Sequence, residues 1–141
     1  MSDRYFLDAS VLVYSFEERD PRKRERAREL IATALEGAGM ISFQVVQEFL
    51  NVALRKFDRP MTVDEAQDYF DAVLVPLCRV QSDPDLYREA LAVQLRWRFS
   101  FYDSLVVAAA QRSGCKTLFS EDFQHGQKLG KVTVVDPFRS T

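Results

Sequence analysis

Short apolar runs alternate with longer amphipathic stretches along the chain. Tyr5–Leu7, Met40–Phe43, Leu77–Val80, Lys116–Phe119 and Val132–Val135 are brief, apolar-rich and β-branched or aromatic, and read as five strands. The stretches between them repeat apolar residues at helical spacing. Ala9–Phe16 predicts a first helix. Asp20-Pro21 opens a second, because Asp can cap and Pro suits the first turn; Gly37 and Gly39 end it. Gln44–Phe57 carries an apolar face of Val45, Val46, Phe49, Leu50, Val52, Ala53 and Leu54. Thr62-Val63-Asp64-Glu65 has capping-box form and starts a helix to about Leu74. Asp83-Pro84 starts one to about Arg98, and Ser100–Ser113 forms another that Gly114 stops. Strands joined by helical crossovers predict an α/β fold, a parallel five-stranded sheet between two helical layers. Its site should lie beyond the carboxyl ends of the strands.

The length of 141 residues suits one domain, 1–141, and 47% hydrophobic residues exclude a disordered chain. No apolar run approaches the roughly 20 residues of a membrane-spanning helix, so no membrane is expected. Met1-Ser2-Asp3-Arg4 leads into no signal-like apolar region. Cys78 and Cys115 are too few for a disulfide scaffold and share no CxxC spacing, which favours a reducing cytoplasm. The net charge of −2 excludes a strongly basic, nonspecific nucleic-acid binder. Even so, Arg22, Lys23, Arg24, Arg26 and Arg28 crowd one segment, and Arg96 and Arg98 precede Asp103. A solvated helix face accounts for the first cluster; Arg22, Lys23, Arg96 and Arg98 are also candidates for contact with a phosphate backbone.

Four acids draw attention by placement. Asp8 follows the first strand, and Asp122 follows the fourth in Ser120-Glu121-Asp122. Asp103 opens the most apolar helix, and Glu48 borders the apolar stripe of its own. Each has an ordinary reading: helix cap for Asp8, capping-box acid with Ser100 for Asp103, turn residue for Asp122, solvated boundary for Glu48. Gathered on one sheet edge, they would raise one another's pKa unless a cation neutralised them. An all-carboxylate set suits Mg2+ or Mn2+ and fits zinc poorly, the only histidine being His125.

Phe6-Leu7-Asp8-Ala9-Ser10, Val45-Val46-Gln47-Glu48-Phe49, Tyr102-Asp103-Ser104-Leu105-Val106 and Ser120-Glu121-Asp122-Phe123 together resemble the ordered motifs of PIN-domain nucleases, with the VapC-like toxins as the nearest branch. The resemblance runs from Tyr5 to Phe138. It implies a PIN-like α/β/α sandwich, Mg2+-dependent endoribonuclease activity, an RNA substrate, a cognate antitoxin and a homodimer. By motif, Asp8 and Asp103 match the principal metal ligands, and Glu48 and Asp122 the other two acids. Glu121 is an extra carboxylate beside the fourth, and Ser120 holds the family's small hydroxyl position. The helices at Pro21–Gly37 and Thr62–Leu74 are candidates for antitoxin docking.

Other readings stay open. A haloacid-dehalogenase-type phosphatase would carry Asp where Ser10 stands, and a receiver-type domain would carry an acid at the end of the third strand, where Val80-Gln81-Ser82 has none. A stand-alone RNA-processing nuclease and a non-catalytic PIN-like scaffold are the remaining alternatives. His125 reads as a loop histidine before a proton shuttle. The Trp97–Tyr102 aromatics read as core before base-stacking groups.

Overall fold

The strand β1 (Tyr5–Leu7) is buried along its whole length, with Phe6 and Leu7 fully enclosed. The structure, a computed structural model, describes residues 3–139. Met1, Ser2, Ser140 and Thr141 of the expected 1–141 domain lie outside the described residues.

After β1 the chain runs through α1 (Ala9–Tyr14) and α2 (Pro21–Thr33) to β2 (Gly39–Ser42). Next come α3 (Phe43–Arg55), α4 (Val63–Tyr69), α5 (Val75–Leu77) and β3 (Cys78–Val80). Then α6 (Pro84–Trp97) and α7 (Phe101–Arg112) lead to β4 (Thr117–Phe119), β5 (Lys128–Leu129) and β6 (Val132–Val135). The sheet order is β3-β2-β1-β4-β6-β5. The first five strands in that order pair in parallel, as the sequence pattern predicts. The sixth, β5, adds an antiparallel edge to β6. At two residues it is too short for any hydrophobic period to reveal.

Capping residues set the helix starts. The side chains of Asp20, Thr62, Asp83 and Ser100 accept hydrogen bonds from backbone N–H groups of α2, α4, α6 and α7. Thr62 and Glu65 complete the capping box. Two boundaries differ from the pattern-based reading. Phe43 begins α3 instead of ending β2, and helical structure continues through a wide turn at Phe70–Leu74 as far as Leu77. Pro76 lies just past that wide turn, in the first turn of α5, where a missing N–H costs a helix least.

The helix α7 is buried from Ser104 to Ala110 against the sheet. Its sequence is apolar on every side because it is enclosed on every side, and its three alanines let neighbours approach closely. Phe16, Phe49, Phe57 and Tyr69 pack ring on ring beside α1 and α3. Trp97, Phe99 and Phe101 pack against the core, whereas Tyr102 is 67% exposed.

The two glycines after α2 act differently. Gly37 has φ of 117°, a conformation that releases the helix. Gly39 is held by space: a Cβ there would lie 2.6 Å from Tyr5 Cε1 and 2.7 Å from Ala34 Cβ. The Tyr5 ring cannot yield freely, because its hydroxyl donates to Leu30 O at 2.6 Å. Gly39→Ala should therefore destabilise the fold by about 1–3 kcal/mol. An unchanged urea midpoint would show that the strand absorbs the methyl group.

Candidate active site

The chain reverses its direction of travel across the sheet at β1. Successive strands step from β1 to β2 to β3, then return to β4 on the other side of β1. Crevices form at such reversals, beyond the carboxyl ends of the strands. The β1–β4 register aligns Leu7 with Phe119, so the next residues, Asp8 and Ser120, emerge side by side. The backbone N–H of Asp8 donates to Phe119 O at 3.1 Å, and that of Ser120 to Val135 O at 3.1 Å.

Asp8 is only 4% exposed. Its Oδ1 accepts from the Ala9 N–H at 2.7 Å, so it does cap α1. Its Oδ2 accepts from the Ser120 hydroxyl at 2.7 Å, and Ser120 Oγ in turn accepts from the Asp122 N–H at 3.0 Å. Burial pushes the Asp8 carboxyl up to about 7; the Ser120 hydrogen bond opposes this and the negative charge of Asp122 adds to it.

Glu48 lies in the second turn of α3, half-buried, and Gln44 Nε2 donates to its Oε1 at 2.7 Å. Burial raises the Glu48 pKa, Gln44 lowers it, and the charges of Asp103 and Asp122 raise it. Asp103 sits in the first turn of α7, where Ser100 Oγ accepts from its N–H at 3.2 Å. Burial raises its pKa too, with a further push from Asp122. The four acids thus form one electrostatic group with Asp122, the exposed member, coupled to the other three. Among the described residues, no three His, Cys, Asp or Glu side chains close into a ready-made metal cage. The donor chemistry nevertheless fits a hard divalent ion: all oxygens, several desolvated, and mutually repelling.

Glu121 faces elsewhere. Its Oε2 pairs with Lys23 Nζ at 2.9 Å, and Lys23 lies 4.5 Å from the centre of the Tyr14 ring. Arg22 donates to Phe138 O at 2.8 Å and Arg26 to Pro137 O at 3.3 Å. The basic run on α2 therefore fastens the Glu121 loop and the segment after β6. Arg96 and Arg98 are exposed at the end of α6; Arg96 lies 4.6 Å from the Trp97 ring centre, and Arg98 takes a left-handed φ of 65°. His125 Nδ1 accepts from the Asp136 N–H at 3.1 Å, a loop-fastening contact. Gln44 is the site-edge residue that sequence reasoning missed. Its signal is the four-residue spacing to Glu48, which puts both on one helix face.

A model of the PIN domain matches residues 5–128. Among curated proteins, none matches. Several solved structures share the fold. A toxin–antitoxin complex from Klebsiella pneumoniae superposes with a TM-score of 0.69 at 18% identity, covering 94% of this chain and 97% of the other. Mycobacterium tuberculosis VapC20, described as a sarcin–ricin loop cleaving toxin, gives 0.63 at 21% identity, covering 84% and 89%. DNA-bound VapBC from Salmonella typhimurium gives 0.65 at 13% identity, covering 97% and 99%.

The Asp8 pKa has a consequence for stability. An unfolded Asp titrates near 3.9, so between about pH 4 and 7 the folded state binds the extra proton. Metal-free stability attributable to Asp8 is therefore lost as pH rises through that window. Asp8→Asn should melt higher than wild type in EDTA at pH 7, with the gap closing towards pH 4. Parallel melting curves across this range would contradict the assignment.

Proposed function

The chain belongs to the PIN-domain family, and we propose on that footing that it is a Mg2+-dependent endoribonuclease, the toxin of a toxin–antitoxin pair. The observation that carries the reading is the buried Asp8 carboxyl at the β1–β4 crevice, electrostatically joined to Asp122 and through it to Glu48 and Asp103. Four carboxylates alone would repel a phosphodiester. Asp8 and Asp103 would hold Mg2+, with Mn2+ as the alternative ion. The bound ion supplies a water of lowered pKa and offsets charge developing on the phosphate.

The protein's own groups do the rest. Ser120 fixes the Asp8 carboxylate through its hydroxyl. Glu48 and Asp122 would complete the metal cage through bound waters or orient the attacking water, and Glu121, engaged by Lys23, braces the loop that carries Asp122. Exposed Arg96 and Arg98 would contact the RNA backbone, and exposed Tyr102, next to Asp103, offers a face for one base. Arg22 and Lys23 serve the same role second to these, since both already have protein acceptors.

A cognate antitoxin has a place to bind. A cavity of about 240 Å3 lies between α2 and the helical stretch following α4, lined by Ile31, Leu35, Val73 and Tyr69 among others. An apolar peptide segment would fill it, and an antitoxin Arg would satisfy the carboxylates. A second copy of this chain would pack on α6, where Tyr87, Leu91 and Leu95 are exposed at four-residue intervals. Among the described residues, no helix is long and apolar enough to cross a membrane. The free thiols Cys78 and Cys115 accord with a cytoplasmic setting.

The open arrangement of the acids favours one rival, a non-catalytic PIN-like scaffold; a stand-alone RNA-processing nuclease would share the chemistry and lack the antitoxin. A fluorogenic RNA should be cleaved with Mg2+, and cleavage should fall to background in EDTA or in Asp8→Asn. Cleavage indifferent to both would sink the metal mechanism, and none under any condition would favour the scaffold. Leu91→Glu should convert a dimer to a monomer by light scattering; an unchanged mass would remove α6 from the interface.

A further inference from the structure

Gln44 is 3% exposed and lies in the first turn of α3. Its Nε2 donates to Glu48 Oε1 at 2.7 Å and to the Tyr102 carbonyl at 3.1 Å. The Tyr102 carbonyl can only accept, as does an ionised Glu48, so turning the amide the other way would lose these bonds. One side chain thus joins the helix that carries Glu48 to the residue immediately before Asp103. Its Oε1 is buried without a partner, as is the Ser104 hydroxyl beside Asp103 in sequence. A buried polar atom left unpaired costs about 1–3 kcal/mol, and an apolar side chain of similar shape would avoid that cost. Methionine would exchange that cost for a Tyr102 carbonyl and a Glu48 oxygen left without their donor, so its effects on stability offset each other while the bridge is lost.

We propose that Gln44 is a positioning residue that sets the Glu48 carboxylate relative to Asp103 by bridging α3 and α7. The role rests on the nuclease reading for its catalytic consequence, but the bridge itself is defined by geometry. Each of the two amide hydrogens has one task. The first holds Glu48 in a single orientation against the repulsion of its neighbours. The second fixes the turn from which Asp103 projects. Without the bridge, Glu48 can swing away from the other acids towards solvent.

The test is a cycle of Gln44→Met, Glu48→Ala and the double variant, each read for Mn2+ affinity by calorimetry, for kcat and KM on RNA, and for melting temperature. Groups that orient metal-site carboxylates typically contribute 10–100-fold to affinity or activity. Gln44→Met should therefore weaken Mn2+ binding and lower kcat by ~10-fold or more, leaving KM and melting temperature close to wild type. Once Glu48 is Ala, adding Gln44→Met should cost little further. Gln44→Asn keeps the amide but is one methylene shorter, and should lose at least one bond and fall between. Wild-type Mn2+ affinity in Gln44→Met, or losses that add fully to those of Glu48→Ala, would overturn the proposal. Mn2+ affinity that responds to Gln44→Met in a chain that cleaves no RNA would support the bridge and sink the nuclease reading. Cleavage with Mn2+ binding indifferent to Gln44 would do the reverse.

Discussion

The hydrogen bond from Ser120 to Asp8 is the contact on which the site depends. It spans 112 positions of sequence and exists only because β1 and β4 pair in one register. A shift of one residue would turn Asp8 to the other face of the sheet. The enclosed Phe6, Leu7 and Leu118 make such a shift costly, since each is packed in its own place in a sheet covered on both faces. The hydrophobic pattern of two three-residue strands therefore fixes the position of a carboxylate that forms no part of the core.

That carboxylate sits where solvation is poor, and the structure tolerates it through specific partners. An Ala9 N–H and the Ser120 hydroxyl meet its two oxygens, yet burial still dominates. The same balance recurs at Glu48, where Gln44 offsets part of the penalty. Buried polar groups are ordinarily satisfied; here several are satisfied in part, and their charges repel. Strain of this kind concentrates at functional sites.

The sequence was legible where one local pattern decided one local outcome. Asp-Pro pairs and Thr62-x-x-Glu65 marked helix starts because capping is a matter of a few adjacent residues. The five parallel strands showed in their apolar runs. Asp8 and Asp122 were visible as acids just past strand ends. The two-residue β5 was not legible, because it depends on pairing with β6 and has no period of its own. Nor was the parting of Glu121 from Asp122: adjacent in sequence, they face different ways, and Lys23, far away in the chain, engages Glu121. The basic run on α2 looked like a solvated face, but Arg22 and Arg26 reach backbone carbonyls more than a hundred positions away. Side-chain partners at that separation leave no trace in spacing.

The order of the strands also has a consequence in time. Asp8 follows β1, a strand synthesised before either of its two neighbours. A ribosome that has placed Asp8 must add 112 more residues before its hydroxyl partner is made, and β6 must follow to close β4 from the other side. Contacts of such long range form late and slowly. Until then the crevice at the carboxyl ends of β1 and β4 has no walls, and the carboxylates of the nascent chain stay apart.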